Sequence, residues 1–382
     1  LTKLDKVDCS QILAAVLKAD RELLGHIKMG PVAENIEVNW IEDELVSNTF
    51  EGTTSHSMSI ALTVLSTTAS IARIIRAGDI VVAESAEFYF KVIDYTASLL
   101  SVSAYGCTTS LWTSGGMTTA TMTFRVISKP YADLDNASDD ISKLRSKRRN
   151  FTQTFERAIQ ITQSRKGISM EAVVDELQHQ IKLRTLEMKR ELDMSVIMGR
   201  AYWDGSYFTA SSETRTMMGI LEYLRDYDLD GTIDDTLVTS TSGALTIAGI
   251  NDLLYKIWDA GGLDEQSDCV IVVGGKQQRV IASFESYLRR VEQGERQVGY
   301  YRDTFLSDMG KEFPIVLDRW MPIDKLLVLD RSRVALRALR GDAWHMEKMA
   351  KTGRSEKWQI SGQYTIEVRN PDKCHGMLRD LT

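Results

Sequence analysis

Apolar and polar residues alternate near the end of the chain. Trp358, Ile360, Gly362, Tyr364 and Ile366 fall on one side of the pattern, and Gln359, Ser361, Gln363, Thr365 and Glu367 on the other. A period of two predicts a long strand with one buried face. The same period recurs at Ile36, Val38 and Trp40, at Met58, Ile60, Leu62 and Val64, and at Phe88, Phe90 and Val92. Residues 57–128 are rich in Thr, Ser, Val and Ile, with turn signals at Ala77-Gly78-Asp79 and Ser114-Gly115-Gly116. That spacing predicts a small inserted β-barrel or sandwich.

Helical spacing takes over elsewhere. From 169 to 198 there is no Gly or Pro, and Val173, Leu177, Ile181, Met188 and Leu192 mark one face. Ser169 can cap the start and Gly199 is a natural stop, which predicts a rod of roughly 45 Å. Near the start, Ile12, Leu13, Val16, Leu17 and Leu24 also recur at helical spacing before Gly30-Pro31 breaks the segment. Residues 1–35 therefore read as an arm that has too little apolar surface for a core of its own. It must pack on the body or on a neighbouring subunit. Residues 215–340 read as a mixed unit. It has helices at Ile250–Trp258 (stopped by Gly261-Gly262) and Lys276–Leu288, and strands at Cys269–Val273, Val316-Leu317 and Leu326–Leu329. The class is α+β.

Composition narrows the function more than the fold. In 382 residues, 43% hydrophobic and 26% charged, the net charge is -7. A protein that grips phosphates carries a basic surplus, so tight nucleic-acid binding is excluded. No apolar run approaches the roughly 20 residues of a membrane span, and no signal-peptide pattern opens the chain. Cys9, Cys107, Cys269 and Cys374 are scattered and form no C-x-x-C pair, so they read as reduced thiols of a cytoplasmic protein. His26, His56, His179, His345 and His375 show no metal-ligand spacing.

Three segments carry candidate chemistry. Asp226, Asp228, Asp230 and Gly231, with Asp234 further on, match the opening of an EF-hand calcium loop, but Leu237 stands where the bidentate Glu belongs. An acidic surface turn is the plainer account. Gly274-Gly275-Lys276 follows a strand but lacks the spacing and the Ser or Thr of a phosphate loop. Lys143, Arg145, Lys147, Arg148 and Arg149 read as a solvated linker, as an electrostatic contact to an acidic patch on another subunit, or as a phosphate contact. No cofactor, metal or catalytic residue is assigned, and the chain reads as a structural protein rather than an enzyme.

Several stretches, in order, resemble a family of tailed-phage major head proteins. They begin with Arg149-Asn150-Phe151-Thr152-Gln153-Thr154-Phe155, then Lys189-Arg190-Glu191-Leu192 before Gly199, and Met218-Gly219-Ile220-Leu221-Glu222. Asn251-Asp252-Leu253-Leu254, Trp258-Asp259-Ala260-Gly261-Gly262 and Val316-Leu317-Asp318-Arg319-Trp320-Met321-Pro322 follow. Last come Leu329-Asp330-Arg331-Ser332-Arg333-Val334 and Tyr364-Thr365-Ile366-Glu367-Val368-Arg369-Asn370. The likeness covers roughly residues 148–376. The chain departs from it at Gly274-Gly275, where the family tends to have Asn-Pro, and at the Asp226–Asp235 turn, which looks like an addition.

The resemblance implies the Hong Kong 97-type capsid fold. An N-terminal arm would be 1–35, an extended loop 36–56 with 129–163, and an inserted small all-β domain 57–128. A peripheral domain would comprise 164–217 and 341–382, with its spine helix at about 169–198, and an axial domain 218–340. It further implies hexamers and pentamers of the chain in an icosahedral head. The head encloses DNA without sequence-specific binding, and its partners are a portal and scaffold, protease or decoration proteins. Location in the virion, after assembly in the host cytoplasm, follows in the same way. A shell protein of an encapsulin-like nanocompartment is the alternative with the same fold. A calcium-binding or adhesion protein is the alternative that rests on the acidic loop.

Overall fold

The alternating stretch near the C-terminus forms a strand over Ser355–Val368. It belongs to a computed structural model that describes residues 22–43, 48–55, 61–66, 74–83, 88–96, 99–105, 121–130, 145–167, 176–202, 214–226, 229, 233, 236–284, 288–292, 301–350 and 353–382. The chain divides into one unit of Leu1–Trp40 with Lys147–Thr382 and a second of Ile41–Ser146.

In the first unit, Ser355–Val368 is the spine of a five-stranded sheet. On one side it runs antiparallel to Gln153–Thr162, from Gln153 opposite Tyr364 to Thr162 opposite Ser355. On the other it pairs with Val334–Ala338 and His345–Lys348. The helix Glu176–Met198 covers one face. Its 23 residues make a rod of roughly 35 Å, and the expected start at Ser169 and Val173 lies outside the described residues. Met188, Leu192, Val196 and Ile197 are buried with Phe155, Ile159, Ile161, Ile360, Tyr364 and Ile366. The period of 3.6 thus meets the period of 2 in one core.

Gly199 ends this helix because another backbone occupies the space of a side chain. A Cβ there would lie 2.4 Å from the Ser195 carbonyl oxygen and 2.7 Å from that of Met217. The Gly219 N–H donates to the Gly199 carbonyl at 2.8 Å, and a Cβ on Gly219 would lie 2.5 Å from the Gly199 nitrogen. The two segments can touch only as glycines. Gly219→Ala should therefore destabilise the unit by about 2 kcal/mol as the backbones are forced apart, read as a lower urea midpoint. An unchanged midpoint would show that the crossing relaxes freely.

A seven-stranded sheet is the other large sheet of this unit. Its order is Val238–Gly243, Gly376–Leu381, Leu326–Asp330, Cys269–Val273, Glu312–Leu317, Tyr301–Leu306 and Leu288–Glu292. Cys269–Val273 and Leu326–Asp330 are buried at every position, since both faces are covered. Val270, Val272, Leu327 and Leu329 share the core of the long helix. Ile271, Val273, Leu326 and Val328 instead share a core with Ile250, Leu254 and Ile257 of helix Ile247–Asp259 and Ile281 of helix Gly275–Ala282. Continuous apolar runs are what two-sided burial requires.

Four expectations shift here. The helix expected over Lys276–Leu288 stops at Ala282, and Leu288 begins a strand opposite the buried Phe305. The terminal strand Gly376–Leu381, expected with the long helix, sits in the second sheet between Val238–Gly243 and Leu326–Asp330. Gly376 lets it pass beneath helix Ile247–Asp259, since a Cβ would lie 2.8 Å from Leu253 Cδ1 and 2.9 Å from Ile257 Cδ1. Val334–Ala338, expected in the axial span, pairs in the first sheet. Thr49–Ser55, expected in the extended loop, pairs with Ala61–Ser66 and Thr121–Ser128.

The end of the arm is held by its own unit. The Leu23 N–H donates to Asp318 Oδ2 at 3.2 Å. Lys28 and Met29 run parallel to Ala335 and Leu336, and the Ala33 N–H donates to the Ala338 carbonyl at 2.7 Å. Ile12, Leu13, Val16 and Leu17 lie outside the described residues.

The second unit is a closed barrel of Thr49–Ser55, Ala61–Ser66, Leu99–Ala104, Phe88–Tyr95, Ile80–Ala83 and Thr121–Ser128. Its core holds Phe50, Ile75, Val81, Phe90, Val92, Leu100, Val102 and Phe124, with the Phe50 and Phe124 rings stacked at 5.3 Å. Closure leaves no open edge to recruit a foreign strand. Ala77-Gly78-Asp79 forms the expected turn, with Gly78 at a φ of 96°. Ser114-Gly115-Gly116 lies outside the described residues.

Candidate functional site

Of the acidic loop, Asp226 continues the turn after helix Ile220–Tyr223, its N–H donating to the Glu222 carbonyl at 3.0 Å. Asp228, Asp230 and Asp234 lie outside the described residues. Leu237, at the position of the missing ligand, is buried in the second core. Among the described residues, no group of His, Cys, Asp and Glu could hold a metal ion.

The basic cluster is partly a strand. Ser146–Phe151 pairs with Glu37–Glu42, and alternation turns Arg148 and Asn150 inward and Lys147 and Arg149 outward. Arg148 is therefore not a free surface cation, as the linker reading expected. Arg145 Nε lies 3.2 Å from Asp43 Oδ2, both side chains exposed; such pairs contribute about 0–1 kcal/mol. The Arg149 guanidinium sits 6.0 Å from the Phe151 ring centroid. Lys143 lies outside the described residues.

What the structure adds is a set of buried polar joints inside the very motifs that carry the family resemblance. Asn150 is fully buried. Its Nδ2 donates to the carbonyls of Met218 at 3.0 Å and Ile366 at 2.8 Å. Its Oδ1 accepts from the N–H groups of Phe151 at 2.8 Å and Met218 at 2.9 Å. Three residues on, Gln153 Oε1 accepts from the Met217 N–H at 3.2 Å. Asp318, also fully buried, accepts from Leu23 through Oδ2 and from the Trp320 N–H at 2.7 Å through Oδ1. Glu367 is clasped by Arg337 at 2.8 Å and Arg369 at 2.6 Å.

The last joint ties the terminal strand to the centre of the second sheet. Asp330 Oδ1 accepts from the Asp268 N–H, the Ser332 N–H and Ser332 Oγ, while Arg333 Nε lies 3.3 Å from Oδ2. Beside it, His375 Nδ1 accepts from the Asp330 N–H at 3.1 Å. Its Nε2 lies 3.1 Å from the Arg369 carbonyl and so carries the proton. Burial pushes the imidazole down to about 4, against the upward pull of Asp330. The neighbouring thiols go the other way, with burial pushing Cys269 up to about 12 and Cys374 up to about 11. Both stay protonated and inert.

These polar groups bind backbone and neighbouring side chains, an arrangement that holds segments together rather than presenting groups to a ligand. A recess of about 220 Å³ lies between the long helix and the His345–Lys348 strand, lined by Ile181, Thr185, Met188, Trp344, His345, Met346 and Ile360. Its walls are mostly apolar, so it suits packing rather than acid–base chemistry. Lys276 of the Gly274-Gly275-Lys276 turn is exposed. Gly274 is tight because a Cβ would lie 2.9 Å from the Met321 carbonyl oxygen. No helix among the described residues is long and apolar enough to cross a membrane.

Comparison with known proteins gives this scaffold its context. The major capsid protein of Escherichia phage Phieco32 is 21% identical over 265 residues, covering 58% of this chain and 73% of that one. Among solved structures, the capsid of an empty GTA particle has a TM-score of 0.52 at 9% identity, covering 99% of this chain and 96% of that one. The capsid of cyanophage A-1(L) has a TM-score of 0.46 at 11% identity, covering 67% and 85%. The GTA likeness is one of fold: a Hong Kong 97-like capsid fold of mixed helix and sheet. The family model described as SU10 major capsid protein matches residues 1–382, and the chain accordingly belongs to that family of phage major capsid proteins.

Proposed function

We propose that the chain is the repeating subunit of an icosahedral phage head, assembling as hexamers and pentamers around DNA. The observation that carries this reading is the family match along the whole chain. Physical features agree with it. Met29, Val32, Tyr255, Trp258, Ile323 and Met346 are large apolar residues left outside the cores, as surfaces awaiting a second copy are. A net charge of -7 suits DNA that is enclosed rather than gripped.

In this reading the spine helix and the five-stranded sheet make the peripheral domain, and the seven-stranded sheet, terminal strand included, makes the axial domain. The barrel is a domain inserted in the chain between the two halves of the extended loop. Lys147 and Arg149 are the members of the basic cluster best placed to meet a neighbour's acidic patch, with Lys143 beside them in sequence. Portal, scaffold, protease and decoration proteins are the partners such a head takes, in the virion and during assembly in the host cytoplasm.

Purification of the expressed chain, followed by sedimentation and electron microscopy, tests the reading. Closed particles with six- and five-fold capsomers are the expected result. A chain that stays monomeric at every concentration would overturn it. Particles purified from cells with a cargo enzyme inside, and no nucleic acid, would favour a nanocompartment shell instead.

A further inference from the structure

Two helices on one face of the seven-stranded sheet present opposite charges that no described residue neutralises by an ion pair. Helix Ile247–Asp259 leads into the central strand Cys269–Val273, and helix Gly275–Ala282 leads out of it. The first buries Ile250, Leu253, Leu254 and Ile257 and exposes Asp252, Tyr255, Trp258 and Asp259. Tyr255 and Trp258 are each 55% exposed, one helical turn apart, with ring centroids at 6.0 Å. Lys256 is drawn off this face, its Nζ donating to Thr239 Oγ1 at 3.1 Å. Asp252 and Asp259 are left as a net acidic border around two exposed aromatic rings. The second helix buries Gln277 and Ile281 and exposes Lys276 and Arg279. Among the described residues, neither aspartate and neither of these cations is engaged in an ion pair.

Resting on the shell reading, we infer that the Asp252–Tyr255–Trp258–Asp259 face of one copy docks on the Lys276–Arg279 face of the next. The occupant is a second copy because the complement of each face is carried by the same chain. A contact between two different patches of one chain adds copies head to tail, and it closes into rings when the rotation between copies divides a full turn. Trp and Tyr supply the area that dominates such contacts, and Arg stacks on their rings. The border charges set register and reject a copy offered the wrong way round, since that would place like charges together.

Charge exchange tests the pairing. One variant carries Asp252→Lys with Asp259→Lys, a second Lys276→Glu with Arg279→Glu, a third all four changes, and a fourth Trp258→Ala. All are at exposed positions, so thermal unfolding of the subunit should match the parent chain and confirms folding before assembly is read. Particle yield by sedimentation should fall at least about tenfold in the first, second and fourth variants. It should recover in the third, where the two faces have exchanged sign. Parental yield in the first, second and fourth variants overturns the inference, and so does a folded four-site variant that fails to recover. Shells from the parent chain with either of these outcomes remove only this contact. Absence of shells from the parent chain removes the head-subunit reading, and the contact with it.

Discussion

Asn150→Ala should cost the first unit about 4 kcal/mol, because it strands four backbone groups at once. The Asn150 amide has two donors and an acceptor oxygen with two lone pairs, and all are engaged by Phe151, Met218 and Ile366. Alanine leaves the N–H groups of Phe151 and Met218 and the carbonyls of Met218 and Ile366 without that partner in a fully buried site. A water that enters the space recovers part of the loss but pays ordering entropy. Asn150→Asp separates shape from chemistry. It keeps the size and the acceptors but turns a carboxylate toward two carbonyls, so at neutral pH it should be at least as damaging as alanine. Lowering the pH should relieve it in part, since the protonated acid regains one donor. Urea unfolding of the unassembled subunit measures both variants. A loss below about 1 kcal/mol for Asn150→Ala would mean that the joint is ornamental.

The same residue shows what the amino-acid pattern reveals and what it hides. Periodicity reports burial, so the strand Ser355–Val368 and the rod ending at Gly199 were legible from Trp358, Ile360, Tyr364 and Ile366 and from Met188 and Leu192. Cys269–Val273 was legible as a run buried on both sides. Where pairing partners decide the outcome, local pattern misled. Leu288 extends an apolar helix face on paper, yet its position opposite Phe305 makes it a strand residue. Gly376–Leu381 is too short and mixed to announce itself, and it is defined by Leu326–Asp330 and Val238–Gly243 on either side.

The polar joints were visible as letters and invisible as roles. Asn150 bonds Ile366, and Asp318 bonds Leu23, across most of the chain. Nothing within a few residues of Asn150 or Asp318 announces a partner so distant in sequence. One local signal was available: Asp330-Arg331-Ser332 has the side-chain oxygen two residues before an N–H that caps a turn, and Asp330 does cap it. For the basic cluster, alternation alone foretold that Arg148 and Asn150 would share a face. The docking faces on the two sheet helices needed the fold as well, because Trp258 and Arg279 are unremarkable until the exposed charges beside them are known.

Acidification should loosen the second sheet at His375 before it touches the barrel. The imidazole is fully buried, and its pKa is lowered from 6.5 to about 4. A depressed pKa means that the folded state disfavours the proton. The stabilising contribution is therefore complete above pH 6.5 and declines as pH falls toward 4, reaching a loss of about 3 kcal/mol once both states are protonated. Geometry gives the same sign. Nδ1 accepts the Asp330 N–H, so a proton there breaks that bond and sets two N–H groups against each other. Arg333 opposes the added charge, while Asp330 and Asp372 partly offset it. The terminal strand Gly376–Leu381 begins at the next residue and binds Leu326–Asp330, so it is the element that protonation should free first. Urea midpoints followed from pH 7 to pH 4 should fall more steeply for the parent chain than for His375→Gln, which cannot take up the proton. Hydrogen exchange should locate the excess loss in Leu326–Asp330 and Gly376–Leu381, with the six barrel strands unaffected. Parallel curves for the two chains would place the acid sensitivity in the carboxylates and clear His375 of the role.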